Sequence, residues 1–150
     1  MDKVYNHKEV EEKIYKKWEE SGSFKPEINP NGKPFTIILP PPNANAPLHF
    51  GHAMYVVEDI LIRYHRMLGD ASLWLPGADH AGFETQFVFE KQLQKEGKSR
   101  FDYDRETLYK MIWDFVEGNR GTMEDQLKRL GFSLDWSRMK FTLDPKIVEI

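Results

Sequence analysis

The stretch "FTIILPPPNANAPLHFGHA", residues 35–53, decides the fold. Its first five residues are β-branched or apolar, the signature of a short buried strand. Pro40, Pro41 and Pro42 follow; they fix φ and lack donors, so the chain leaves the strand extended. His49 and His52 then flank Gly51 where the loop passes into a helical pattern.

Downstream, residues 49–68 predict one long helix with Val56, Val57, Ile60, Leu61, Tyr64 and Leu68 inward and Gly69 as its stop. "ASLWLP" (71–76) reads as a second apolar strand and "GADHAG" (77–82) as a turn. Residues 82–95 read as a helix with Phe83, Phe87 and Leu93 on its apolar side. A right-handed crossover makes the two strands parallel neighbours. Their carboxyl ends then share one sheet edge, where open α/β sheets bind ligands.

Upstream, Val10, Ile14 and Trp18 mark an amphipathic helix over residues 8–20, followed by a Gly/Pro/Asn-rich loop. A further helical stretch runs from near Asp104 to Leu130, with a break expected at "EGNRG" because of Gly118 and Gly121. "FSLDWSRMKFTLDP" (132–145) reads as mixed loop. The element order matches an α/β fold, a βαβ unit with extra helices. Val148 and Ile150 read as the start of a continuing segment, so the domain is expected to be incomplete.

The 150 residues suffice for one ordinary core. A net charge of -3 supplies no basic field of the kind that marks a nucleic-acid binder, and the absence of cysteine excludes disulfides and thiolate metal sites. No apolar run approaches the roughly 18 residues of a membrane span, and the charged N-terminus is unlike a signal peptide. The expectation is a soluble, cytoplasmic chain.

A helix start offers free N–H groups and the positive end of a dipole, which suits anions. Two imidazoles three apart share a face there, and Gly51 leaves room for a flat ring, so a nucleoside triphosphate fits. Plain surface histidines and a metal pair, extended by His80, remain alternatives. The prolines serve either as a structural exit or as the donor-free wall of an apolar pocket. Asp79, in "PGADHAG", either receives an ammonium group or caps the turn. The basic run Arg63, His65 and Arg66 reads as a solvated helix face, and no nucleophilic triad is present.

Taken in order, "PPPNANAPLHFGHA", "EDILIRYHRMLG", "LWLPGADHAGFETQ" and "LKRLGFSLDWSR" resemble the N-terminal part of the catalytic domain of class I aminoacyl-tRNA synthetases. "HFGH" is similar to the class signature His-Ile-Gly-His, and "GADHAGFETQ" resembles the valine-activating branch. The resemblance implies the first half of a Rossmann-like parallel-sheet nucleotide-binding domain with an N-terminal helix. Residues 1–34 are then the N-terminal helix and loop, and residues 35–150 the first part of a Rossmann-like catalytic domain. The resemblance also implies ATP-dependent activation of valine to the adenylate and its transfer to tRNA(Val), with Mg²⁺ accompanying ATP. It makes His49 and His52 catalytic ATP-phosphate contacts, Gly51 the adenine-side glycine, and Asp79 the anchor of the α-ammonium. Pro41, Pro42 and Asn43 become the edge of the amino-acid pocket. Partners are then valine, ATP, tRNA(Val) and the C-terminal remainder of the same enzyme, which would carry the Lys-Met-Ser-Lys-Ser loop. An isoleucine or leucine enzyme, or an ATP-binding module without catalysis, is the alternative. Ala46 stands where the family commonly has glycine, and Ala78 where it has threonine.

Overall fold

The computed structural model describes residues 4–149, so the expectation for Ile150 lies outside the described residues. The chain divides into two compact units, each built from separated segments.

The first unit comprises residues up to Leu39, Gly51–Pro76 and Leu127–Met139. It contains α1 (His7–Glu20), β1 (Pro34–Ile38), α2 (Met54–Met67) and β2 (Ala71–Leu75). β1 and β2 pair in parallel, Pro34 opposite Ala71 through Ile38 opposite Leu75, as the crossover rule predicts. Trp74, Leu39, Ile62 and Leu134 are fully buried, each worth about 1.5–3 kcal/mol by transfer from water. Gly32 is required by close approach: a Cβ there would lie 2.4 Å from the Gly69 carbonyl oxygen and 2.7 Å from the Ala71 nitrogen.

The helices of this unit turn different faces inward from those expected. α2 buries Tyr55, Asp59 and Ile62, whereas Val56, Val57, Ile60, Leu61, Tyr64 and Leu68 are exposed. The cause is a polar network that demands the inner face. Asp59 accepts from the Ser133 N–H at 3.0 Å, the Ser133 hydroxyl at 2.6 Å and Arg63 Nε at 2.6 Å. Arg63 also donates to the Gly131 carbonyl, and Arg66 to the Ser133 and Phe24 carbonyls. His65 lies 2.6 Å from Asp70. The basic run is therefore an internal clamp rather than a solvated face. Along α1 the buried anchor is Tyr15, with Ile14 and Trp18 more exposed and Trp18 packed edge-on against Tyr15 and Phe24.

The second unit comprises Pro40–Phe50, Gly77–Gln126 and the residues from Lys140 onward. It contains β3 (Gly77–Ala78), α3 (Gly82–Lys95), β4 (Lys140–Phe141) and α5 (Pro145–Val148), with most of α4 (Arg105–Arg129). β3 and β4 pair in parallel, Gly77 opposite Lys140 and Ala78 opposite Phe141. Short strands thus replace the expected turn at 77–78 and part of the expected loop after Gly131. α3 buries Thr85, Phe89 and Leu93, while Phe83 and Phe87 are exposed. Thr85 takes the inner position because its hydroxyl donates to the His80 carbonyl at 2.6 Å.

α4 is continuous through Gly118 and Gly121, without the expected break. Two glycines cost only about 1 kcal/mol each in a helix interior. Val116 and Met123 bury the same helix, and Arg120 pairs with Glu117 at 2.9 Å and Glu124 at 3.6 Å across the weak turn. Asp104 starts α4 by accepting from the Thr107 N–H and hydroxyl, which lowers its pKa. No helix among the described residues is long and apolar enough to cross a membrane.

Candidate active site

Pro41, Pro42, Asn43 and Asp79 all lie in the second unit, which brings Asn43 and Asp79 side by side. The Asp79 N–H donates to the Pro42 carbonyl at 2.9 Å, and the Ala44 N–H to the Asp79 carbonyl at 2.7 Å. A proline run can enter this pairing because Pro42 contributes only its acceptor. Pro42 is buried and Pro41 exposed, with a Cβ on Gly77 lying 3.3 Å from Pro41 Cβ. Asn43 Nδ2 donates to Glu84 Oε2, in the first turn of α3, at 2.7 Å.

Asp79 performs the turn-capping role through one oxygen only. Oδ1 accepts from the Ala81 N–H at 3.1 Å and from the Thr142 hydroxyl at 3.0 Å. Oδ2 accepts from no donor among the described residues, and the side chain is about one-third exposed at 36%. The carboxylate is thus held from one side and open on the other, which suits a cationic ligand. Ala81 adopts φ 51° to carry the chain from this turn into α3.

The His-Phe-Gly-His segment differs in local geometry from expectation. Phe50–Ala53 forms a 3₁₀ turn, and α2 begins only at Met54. The two histidines therefore do not occupy the first turn of an α-helix. Leu48, just before it, donates its N–H to Gln126 Oε1 at 2.8 Å. His49 and Gly51 are exposed; His52 is half-buried, with its ring 5.5 Å from that of Tyr55. Burial, reinforced by Glu58, pushes the Tyr55 phenol up to about 12, so it stays a neutral neighbour of His52.

Sequence reasoning missed Thr142, which sits 63 residues from Asp79 and carries no motif. The parallel register of β3 and β4, continued by one residue, sets it opposite Asp79. Phe141, beside it, is buried against Trp113 with Arg120 over its ring. Among the described residues no three His, Cys, Asp or Glu side chains gather to hold a metal ion. A cleft of about 320 Å³ between Phe24 and Trp136 in the first unit is lined by none of the candidate residues.

The profile of the tRNA synthetases class I (I, L, M and V) matches residues 13–150. The chain belongs to this family. Among the curated class I synthetases, a chloroplastic/mitochondrial valine–tRNA ligase of Arabidopsis thaliana is 54% identical over 138 residues, covering 91% of this chain and 14% of that protein. The valine–tRNA ligase of Dehalococcoides mccartyi is 51% identical over 146 residues, 97% of this chain and 17% of that protein. That of Caulobacter vibrioides is 47% identical over 146 residues, 96% and 16% respectively. The chain thus spans about one-sixth of the length of these synthetases. The fold is similar to that in the crystal structure of the ternary complex of Agrobacterium radiobacter K84 agnB2 LeuRS-tRNA-LeuAMS. That match has a TM-score of 0.77 at 23% identity, over 97% of this chain and 16% of that one.

Proposed function

We propose that this chain supplies part of the active site of a valine–tRNA ligase, which joins valine to ATP and passes the valyl group to tRNA(Val). The observation that carries the reading is Asp79: a carboxylate pinned through Oδ1 and open at Oδ2, beside Asn43, in a chain about half identical to valine–tRNA ligases. Residues 35–150 are the first part of the nucleotide-binding catalytic domain, and residues 1–34 the helix and loop before it. The remaining length of the polypeptide is the chain's principal partner, and the cytoplasm its site of action.

In this reading Asp79 Oδ2 receives the α-ammonium of valine, while Pro41, Pro42 and Asn43 border its side chain. The valine carboxylate then forms a bond to the α-phosphorus of ATP as the bond to the departing pyrophosphate breaks. No protein nucleophile is needed; the work is positioning and stabilising charge on phosphoryl oxygens. His49 and His52 donate to those oxygens, and Gly51 admits the adenine ring. Mg²⁺ would accompany ATP, held mostly by phosphates and water.

Amino-acid-dependent exchange of pyrophosphate into ATP by the complete enzyme tests the proposal, using valine, isoleucine, leucine and threonine. Valine-led exchange that collapses in His52→Ala, with folding retained, is the expected result. Exchange led by isoleucine or leucine would move the chain to a sister enzyme. ATP affinity without amino-acid dependence would reduce it to a binding module.

A further inference from the structure

Thr142 is the meeting point of three hydrogen bonds in the second unit. Its Oγ1 accepts from the His80 backbone N–H at 2.9 Å, lies 2.6 Å from His80 Nδ1, and donates to Asp79 Oδ1 at 3.0 Å. A hydroxyl has one hydrogen and two lone pairs. Asp79 Oδ1 is an acceptor only, so the one hydrogen goes there. Both lone pairs must then accept, one from the His80 N–H and one from a hydrogen on Nδ1. The 3.4 Å separation between His80 Nδ1 and Asp79 Oδ1 supports the same assignment, since a bare nitrogen there would face a carboxylate oxygen. Neutral His80 is therefore the Nδ1–H tautomer, and Nε2 keeps its lone pair. That nitrogen lies 3.6 Å from where a Cβ on Gly82 would stand, so the glycine leaves space beside it.

We propose that Thr142 is the positioning residue of the ammonium site. It fixes the rotamer of Asp79 with Oδ2 open, and holds His80 in the tautomer whose Nε2 serves as a second acceptor for the valine ammonium. This rests on the reading of Asp79 as the ammonium anchor. The hydroxyl is delivered by the β3–β4 register, and Thr142 makes its own backbone bond to the Ala78 carbonyl at 3.2 Å. Its place is thus set by the strands before its side chain acts.

The test uses Thr142→Val, which keeps the shape and removes the hydroxyl, and Thr142→Ser, which restores it. In the complete enzyme, Thr142→Val is expected to raise the KM for valine about tenfold or more, the effect of losing a hydrogen bond to a charged group. The KM for ATP should stay unchanged, and Thr142→Ser should recover most of the valine affinity. Nitrogen NMR of His80 should report Nδ1–H in the wild type and in Thr142→Ser, and loss of that tautomer in Thr142→Val. An unchanged valine KM in folded Thr142→Val, or an Nε2–H wild-type His80, would overturn the proposal. Asp79→Asn separates the two levels. If it leaves the valine requirement unchanged, the anchor reading itself fails; if it raises it while Thr142→Val does not, only the role of Thr142 fails.

Discussion

Tyr15 donates its hydroxyl hydrogen to the carbonyl oxygen of Phe132 at 2.8 Å, across 117 positions of the chain. The Tyr15 hydroxyl oxygen in turn accepts from Trp136 Nε1 at 2.6 Å. One phenol thereby ties α1 to the segment after α4. Tyr15→Phe leaves a buried carbonyl and an indole N–H without this partner and should cost about 1–3 kcal/mol. A urea midpoint lowered at constant slope is the expected observation; an unchanged midpoint would show that water replaces the phenol at no cost.

Alkaline pH should act through the same residue. Burial is the main cause that pushes the phenols of Tyr15 and Tyr55 up to about 12, above the ordinary 10.0. A group whose folded pKa is raised keeps its full stabilising contribution below the unfolded pKa and loses it as pH climbs toward the folded one. Their contribution should therefore be whole below pH 10.0 and decline toward about 12. Tyrosinate absorbance should show late ionisation, and the loss of stability across this window should be smaller in Tyr15→Phe than in the wild type.

Gly32→Ala should be among the most damaging single-methyl changes in the chain. The added carbon would meet three backbone atoms of Gly69, Asp70 and Ala71, the farthest at 2.9 Å. Backbone pinned by the β1–β2 pairing cannot rotate aside as a side chain can. A loss of about 3 kcal/mol is expected, read from thermal or urea unfolding.

Gly118→Ala and Gly121→Ala should do the opposite. Nothing lies within 4 Å of either added Cβ, and neither glycine has positive φ. Each substitution removes the entropic cost of glycine in a helix and should stabilise by about 0.5–1 kcal/mol. A lower midpoint in either variant would show that α4 bends at these positions in solution.

Asp59→Asn should cost about 3 kcal/mol, because it removes the charge facing Arg63 and one acceptor of the Ser133 clamp. Thermal unfolding reads the loss. A variant as stable as the wild type would make the arginines, rather than Asp59, the centre of that network.

The parallel strands and their crossover helix were legible in the sequence because short apolar runs, prolines and a terminal glycine punctuate them clearly. Asp79 stood out because it lies between glycines at a strand end. The faces of α2 were not legible. Periodicity assigns the apolar side inward, yet Asp59, Arg63 and Arg66 have partners on Ser133, Gly131 and Phe24 that no local pattern reveals. The 3₁₀ turn at Phe50–Ala53 escaped for a related reason, since its residues fit an α-helical period equally well. Thr142 was hidden by distance in sequence: only a two-residue parallel register brings it to Asp79.

The first unit is discontinuous, and its last segment, Leu127–Met139, contributes Phe132, Ser133, Leu134 and Asp135 to its interior. A ribosome delivers these residues last. Until the nascent chain has passed Ser133, the phenol of Tyr15 and the carboxylate of Asp59 have no Phe132 or Ser133 to meet. Loop closure over such separations is slow relative to local helix formation. Synthesis therefore imposes a waiting period, during which the paired strands exist without their latch. Synonymous codons that slow translation just before residue 127 would lengthen the exposure of an unfinished core, whereas the same codons read once Leu127–Met139 has left the ribosome would find that core already closed.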